Sequence, residues 1–520
     1  MSAREAGGRS PRGGDGAPRR GEGTPRRDAQ GRERGAVRRY EDRSVLAPSA
    51  RRKGSDPARE VALEVLREVD GSDAYANLVL PPALRRARLH GRDAAFATEL
   101  AYGTLRLRGR YDAVLARCTD RPLADVDPLV RDLLRLGAHQ VLGMRVATHA
   151  AVSETVGLAR EHAGSGASRF VNAVLRRVTE RTSEEWEALL AADAPDADER
   201  LAVLGSHPAW VVRALREALV AHGRDADEIE ALLDADNAAP RVTLVARPGL
   251  LDVAGLAEEV ADELGDRDAR VVAARLAPTA AVLQGGDPAQ IPAVRAGAAA
   301  VQDEGSQLVA LALAAAPLEG PDERWLDLCA GPGGKAALLA SLAGERGARL
   351  LANEAQEHRA RLVEQSLRAV PADAVEGVVV GDGRTILERT GGGFDRVMVD
   401  APCTGLGALR RRPESRWRRE PSDVPTLARL QRELLGAALD ATRPGGLVAY
   451  VTCSPHVAET RLVVDDVLAG RDDVERADAA AAVREVALAD PGLVPGTDVQ
   501  LWPHVHGTDA MHLTLLRRTR

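Results

Sequence analysis

Cysteine is scarce in this chain, with four residues in 520: Cys118, Cys329, Cys403 and Cys453. So few and so irregularly spaced thiols exclude a disulfide-built scaffold and fit a reducing cytosol. No CxxC pair or Cys/His cluster occurs, so no structural zinc and no other metal is expected. There is also no run of about 18 apolar residues and no basic-plus-apolar leader pattern, which predicts a cytoplasmic protein without membrane contact. With disulfides and metal set aside, two thiols stand out. Cys403 closes Val397-Met398-Val399-Asp400-Ala401-Pro402-Cys403, and Cys453 follows Val448-Ala449-Tyr450-Val451-Thr452. Both lie just past apolar runs that read as strands, where open α/β sheets build their active sites, and this predicts thiol chemistry.

Charge is unevenly spread. The net charge is −7, yet residues 1–55 hold fifteen Lys/Arg against seven Asp/Glu, a local +8 that leaves −15 for the remainder. Gly, Pro and Arg dominate this stretch, and it lacks the apolar residues to fold alone. It reads either as a solubilising terminus or as an arm touching phosphates without sequence preference.

A chain of 520 residues predicts three or four units, with a monomer as the default expectation. Residues 56–185 carry apolar positions at helical spacing, including Val61, Val65 and Leu66, then Phe96, Leu100 and Leu105, then Val152 and Val156. This predicts an all-α domain. Residues 186–300 are mixed, with a helix near 210–220 and strands at 241–245 and 280–283, and they lack the aromatic-rich signature of a base-stacking sheet. That segment is expected to be a small α+β linker or RNA-binding module. Residues 301–520 alternate strands (324–328, 349–353, 375–380, 395–399, 446–451) with helical stretches, the pattern of a doubly wound, mainly parallel sheet of Rossmann type. A pairing of 499–502 with 512–516 is expected to close an edge.

After the first of these strands comes Cys329-Ala330-Gly331-Pro332-Gly333-Gly334-Lys335-Ala336, opening a helix. Glycines let the backbone turn tightly and approach a ligand, and the helix offers its first amides. The loop is not a Walker A motif, because Cys329 stands at the first glycine position and Ala336 at the Ser/Thr position. Glu354 follows the second strand, where a carboxylate can accept from a ribose diol, and Asp382 follows the third, placed to receive an adenine amino group. Asp327 should lie under the loop. The set suits S-adenosylmethionine. A nicotinamide cofactor would share the loop and Glu354 but leaves Asp400, Cys403 and Cys453 unexplained.

Carbon 5 of cytosine is too weak a nucleophile to take a methyl group directly. A thiolate adding to carbon 6 pushes electron density onto carbon 5, and loss of the carbon-5 proton then lets the thiol leave. Cys453, Cys403 and Asp400 can supply a nucleophile, a base and a partner for the polar edge of the base.

Cys329 to Lys335, Asp400-Ala401-Pro402-Cys403 and Thr452-Cys453-Ser454 together closely resemble the two-cysteine RNA 5-methylcytosine methyltransferases of the Sun/NOL1/NOP2 group, over residues 300–520. The resemblance implies that Cys453 is the nucleophile and that Cys403 assists product release. It also implies that residues 329–335, Glu354, Asp382 and Asp400 hold the cofactor. Single-cysteine DNA methyltransferases place their nucleophile in the Pro-Cys motif instead, which would exchange the two roles. Arg410-Arg411-Arg412-Pro413 with Arg416-Trp417-Arg418-Arg419 resembles the group's basic stretch after that motif, in which arginines can meet phosphates and Trp417 can stack on a base. The alternative is a charged surface loop.

Residues 92–103, 149–154 and 169–176 resemble the NusB family of RNA-binding helical domains. With such a domain in front, the resemblance implies RNA as partner, 16S ribosomal RNA foremost, with cytosine 967 as the target. The same reaction on another rRNA or tRNA cytosine, and a non-catalytic RNA-binding or antitermination factor, are the alternatives. His149 and Asn172 are read as capping or packing residues before RNA contacts. Two departures stand out: Asp509-Ala510-Met511-His512 where many relatives carry Asp-Gly-Phe-Phe, and Glu459-Thr460 where they often carry Glu-Asn.

Overall fold

The computed structural model describes residues 55–72, 74–264 and 269–520. The basic arm read from residues 1–55 therefore lies, but for Ser55, outside the described residues.

The helical region begins with Pro57–Ser72, Ala76–Arg86, Gly91–Arg106, Arg108–Cys118, Pro128–Leu142 and Thr148–Val178, the last interrupted at Gly164, whose φ is 83°. Of the apolar positions that the spacing picks out, Val61, Val65, Leu66, Leu100 and Leu105 are buried, while Phe96, Val152 and Val156 are partly buried against that core. Local chemistry fixes the ends. Asp127 accepts from the amides of Leu129 and Val130 ahead of Pro128, so a carboxylate and a proline open that helix together. His149 is exposed in the first turn of its helix.

Helices continue well past residue 185, through Ser183–Asp193, Ala197–Gly205, Ala209–Ala221 and Ile229–Asn237. The reason is in the caps: Thr182 and Glu185 form a reciprocal capping box, and Asp196 accepts from the Glu199 amide. Only then does a four-stranded antiparallel sheet form, from β1 (Val242–Ala246), β2 (Arg270–Ala273), β3 (Ala280–Gln284) and β4 (Ala299–Val301), in the order β2-β3-β1-β4.

The C-terminal sheet holds β5 (Arg324–Asp327), β6 (Arg349–Glu354), β7 (Val375–Val380), β8 (Phe394–Asp400), β9 (Thr442–Thr452), β10 (Val474–Ala477), β11 (Val499–Gln500) and β12 (His512–Arg518). Its order is β10-β12-β9-β8-β5-β6-β7, with β9 through β7 mutually parallel and β12 antiparallel to β9. The 499–500 segment does pair with β12, but β12 lies inside the sheet between β9 and β10 and does not form its edge. Alternate residues feed opposite cores, as a sheet covered on both faces requires. Leu326, Val397, Val399, Val448 and Tyr450 pack on one side, and Trp325, Met398, Leu447, Ala449 and Val451 on the other. β6 and β8 flank β5, so the strand order reverses at β5 and a crevice opens at the carboxyl ends of these strands. Among the described residues no helix is long and apolar enough to cross a membrane, and no group of three or more His, Cys, Asp or Glu is placed to hold a metal ion.

Candidate active site

The loop after β5 is sewn to its neighbours by main-chain bonds. Leu328 N donates to Met398 O at 2.9 Å and Ala330 N to Asn353 O at 2.9 Å. Gly331 N donates to Glu354 Oε2 at 3.0 Å, and Gln356 N to Glu354 Oε1 at 3.0 Å. A Cβ at 331 would stand 2.1 Å from Glu354 Oε2, so a side chain there would displace the carboxylate from the Gly331 amide. Gly333 has φ 111° and opens the helix Gly334–Gly344. Arg359, which no sequence motif marked, donates to Gly331 O at 2.6 Å and lies 3.6 Å from the Glu354 carboxylate.

Asp327, at the end of β5, is fully buried and neither carboxylate oxygen has a well-formed hydrogen bond among the described residues. Burial, reinforced by the charge of Asp400, pushes its carboxyl up to about 7, and Lys335 and the Cys329 amide offset this only in part. Lys335 Nζ is committed elsewhere, to Asp400 Oδ2 at 2.8 Å. An unmatched buried carboxylate beneath a glycine loop fits a ligand that brings positive charge, as the sulfonium and amino groups of S-adenosylmethionine do. The Cys329 thiol is held well above the usual range by burial and the neighbouring carboxylates, so it belongs to the loop and not to the reacting groups.

β8 and β9 are parallel, with Asp400 opposite Val451, so the residues just past them converge. Cys403 Sγ and Cys453 Sγ stand 3.4 Å apart. The pair is polarised. The bond to Cys403 lowers the Cys453 pKa, with help from Lys335 and Arg412 and against burial and Asp400. The same bond, together with burial and the Cys453 charge, raises the Cys403 pKa well above its ordinary value. Of the two, Cys453 is the thiol whose charged form its surroundings favour.

A buried network that sequence reasoning did not assemble supports this pair. Glu459 Oε1 accepts from Thr404 N at 2.8 Å and from Gln431 Nε2 at 3.2 Å, while its other oxygen accepts from the Thr404 hydroxyl. Gln431 Nε2 also donates to Pro402 O at 2.8 Å, and Thr404 Oγ1 lies 3.1 Å from Ser454 Oγ. The retained Glu459 was the one visible signal; Gln431 sits within an ordinary amphipathic helix, Asp423–Ala441, and carried none.

The arginine-rich loop needs correction. Arg410 was expected to face RNA, but it is buried and donates to Asp303 Oδ1 at 2.8 Å and Gly507 O at 2.7 Å. Arg411 forks onto both oxygens of Asp509 at 3.0 and 2.9 Å. Arg416 is fully buried, donating to Ser206 O at 3.0 Å and Asn237 Oδ1 at 2.8 Å. Arg418 donates to Val69 O and Ala74 O, both at 2.7 Å. Trp417 lies against Gly109, where a Cβ would come within 2.4 Å of its ring. Guanidinium groups carry five donors and no acceptor, so they suit main-chain carbonyls and carboxylates at domain contacts as well as they suit phosphates. Arg416, Trp417 and Arg418 join the methyltransferase-type sheet to the helical region, whereas Arg410 and Arg411 tie the loop to Asp303, Gly507 and Asp509 of the C-terminal part. Arg412 is the member of the set with a different environment. Asp382 lies two residues past β7, accepts from Arg384 Nε at 3.0 Å and is held below its usual pKa first by that arginine.

A doubly wound sheet with a glycine loop, a cation-seeking carboxylate and a paired thiol, fronted by a helical domain, defines a methyltransferase with an attached RNA-binding module. A family model described as 16S rRNA methyltransferase RsmB/F matches residues 313–517, and one for the NusB family matches residues 56–180. A putative methyltransferase of Mycobacterium tuberculosis (strain H37Rv) is 51% identical over 90% of this chain and 98% of its own length. The probable ribosomal RNA small subunit methyltransferase B of Bacillus subtilis (strain 168) is 30% identical over 88% of this chain and 98% of its own. The crystal structure of PH0851 shares the fold, with a TM-score of 0.72 at 22% identity over 89% of this chain and 98% of that one. The chain belongs to the RsmB/F family of rRNA methyltransferases, with a NusB-type domain at its front. Its methyl donor is S-adenosylmethionine.

Proposed function

We propose that this protein methylates carbon 5 of a cytosine in 16S ribosomal RNA, cytosine 967, working as a monomer in the cytoplasm. The observation that carries the chemistry is the polarised thiol pair, Cys403 and Cys453, 3.4 Å apart beside Asp400. A methyltransferase acting on oxygen or an exocyclic nitrogen has no use for a thiolate; one acting on carbon 5 needs a thiolate to add to carbon 6, and a second thiol beside it can serve release. S-adenosylmethionine supplies the electrophilic methyl group when bound. Residues 329–335 and Glu354 would hold it, with Asp327 to offset its positive charge and Asp382 to receive its adenine edge.

Cys453 as thiolate adds to carbon 6, and the electron pair released towards carbon 5 accepts the methyl group. Asp400, fixed by Lys335, accepts a hydrogen bond from the amino edge of the cytosine. Removal of the carbon-5 proton then returns the electron pair, the carbon 6–sulfur bond breaks, and Cys453 leaves as thiolate. Once Cys453 is bonded to carbon 6 its charge no longer holds the proton on Cys403, so Cys403, on the turn that Thr404 and Glu459 fix, gives its proton to solvent and takes the one from carbon 5. Bisulfite sequencing of total RNA from cells with and without the gene tests the reading: one cytosine should lose methylation and regain it on complementation. An unchanged cytosine profile would refute it.

A further inference from the structure

We propose that Arg412, held by Tyr75 of the helical region, is the seat for a phosphate of the RNA strand flanking the cytosine that enters the thiol site. This rests on the function proposed above and assigns one contact within it. Among the described residues, Arg412 makes no ion pair and no side-chain hydrogen bond, and its Nε is buried without a partner. Its neighbours in the run are spent on Asp303, Asp509 and main-chain carbonyls. The nearest acid in sequence, Glu414, accepts instead from Ala76 N at 3.1 Å.

What holds Arg412 is a ring. Its guanidinium lies 4.8 Å from the centroid of Tyr75, which Arg418 approaches at 5.4 Å. Contact with the ring holds the guanidinium and, with Nε buried, leaves the donors of its two terminal nitrogens for a ligand, enough for two phosphate oxygens. The position relative to the chemistry is also fixed. Arg412 N donates to Ala408 O at 2.9 Å, and Gly407 N to Cys453 O at 2.9 Å, so the turn carrying Arg412 is tied to the backbone of the nucleophile. The charge of Arg412 is one of those felt by the Cys453 thiol. A nucleotide brought to Cys453 carries phosphates on either side, and an unmatched cation beside the crevice is positioned to receive one. The seat is composite: the methyltransferase-type domain gives the cation and the NusB-type domain gives the ring that aims it.

The test is a steady-state methylation assay on a synthetic RNA stem–loop spanning the cytosine that bisulfite sequencing identifies, with each flanking phosphate replaced in turn by an uncharged methylphosphonate. For the wild type, one replacement should raise KM roughly tenfold with little change in kcat, the size expected for loss of one charge-assisted contact. R412A should have KM raised by about the same factor on unmodified RNA and respond less than about twofold to that replacement. R412K, which keeps the charge without the planar fork, and Y75L, which removes the ring, should each fall between. Equal sensitivity of wild type and R412A at every phosphate, or a wild type insensitive at all of them, would overturn the seat while leaving the function intact. Should R412A fail to fold, the wild-type and R412K profiles decide: an R412K profile indistinguishable from wild type overturns the stacked seat. A wild type that methylates no cytosine of the unmodified RNA overturns both.

Discussion

The crevice at the ends of β5, β6, β8 and β9 and the arginine-rich loop beyond Cys403 are both dense in ionisable groups, and they dispose of them in opposite ways. In the crevice, Asp327 is buried with no well-formed hydrogen bond among the described residues and one thiol is pressed towards its charged form by another. In the loop, Arg410, Arg411, Arg416 and Arg418 each end on carboxylates or carbonyls of this same chain. Charge left unmatched in the free protein is free energy that a ligand can recover, whereas charge already matched holds the fold. Arg412 is instructive because it sits in the second region and behaves like the first.

The largest effect should separate the two thiols. Cys453→Ala should abolish methyl transfer, a loss on the order of a thousandfold or more, and give no covalent protein–RNA species, because no thiolate is left to attack carbon 6. Cys403→Ala should still permit attack and methylation but stall release, so an adduct surviving denaturing gels should accumulate only when S-adenosylmethionine is present. The opposite pattern would exchange the roles and break the link between a lowered pKa and nucleophilicity drawn here.

Next comes a pair of substitutions chosen to pull the two regions apart. Arg416→Ala removes a fully buried guanidinium and strands the Asn237 and Ser206 oxygens, with Asp236 close by and itself pushed up to about 7 by burial. Stability should drop by about 3 kcal/mol, read as a lowered denaturant midpoint, with RNA affinity of the folded protein little changed. Asp327→Asn should do the reverse. It removes an unmatched buried charge at nearly constant volume, so stability should hold or rise slightly, while S-adenosylmethionine affinity in calorimetry falls by about tenfold. If Arg416→Ala folds normally and loses RNA, or Asp327→Asn unfolds the protein, matched and unmatched charge do not divide the regions in the way argued.

How much of this was legible in the sequence follows the same division. Period and alternation located the five parallel strands within a residue or a few, because a strand buried on both faces leaves little freedom in composition. The glycine loop, Asp400 and both cysteines could be named because their chemistry needs those residue types at strand ends. What could not be read were pairings set by tertiary approach: Arg359 on Gly331, Gln431 on Pro402, and above all the arginine run. A run of guanidiniums looks the same in sequence whether its partners are phosphates or the carbonyls of Val69, Ala74 and Ser206, which lie more than 200 residues away. Of the helices between 183 and 237 the one near 210–220 was legible; Ser183–Asp193 and Ala197–Gly205 were missed for a milder reason, since their starts rest on caps at Thr182 and Asp196 and their apolar stripes are short.

The smallest effect tests the limit of the rule, because an unmatched polar atom need not face a ligand. His512 on β12 is fully buried; its Nε2 meets Thr514 Oγ1 at 3.1 Å, but its Nδ1 has no partner among the described residues. Its ring lies 5.4 Å from that of His222, at the end of the helix Ala209–Ala221. Burial lowers the pKa of each to about 3, so both are neutral in the folded protein. In the unfolded chain the same imidazoles titrate near 6.5, so between roughly pH 6.5 and 3 the unfolded state binds more protons, and stability is lost as pH falls through that window. A phenylalanine cannot titrate. His512→Phe should therefore raise stability by about 1–2 kcal/mol at pH 5 and by close to nothing at pH 8, measured as paired thermal melts, with methylation at pH 8 unaltered. A gain equal at both pH values would mean that packing, not protonation, is what the histidine costs. A loss of activity at pH 8 would place this buried imidazole with the crevice.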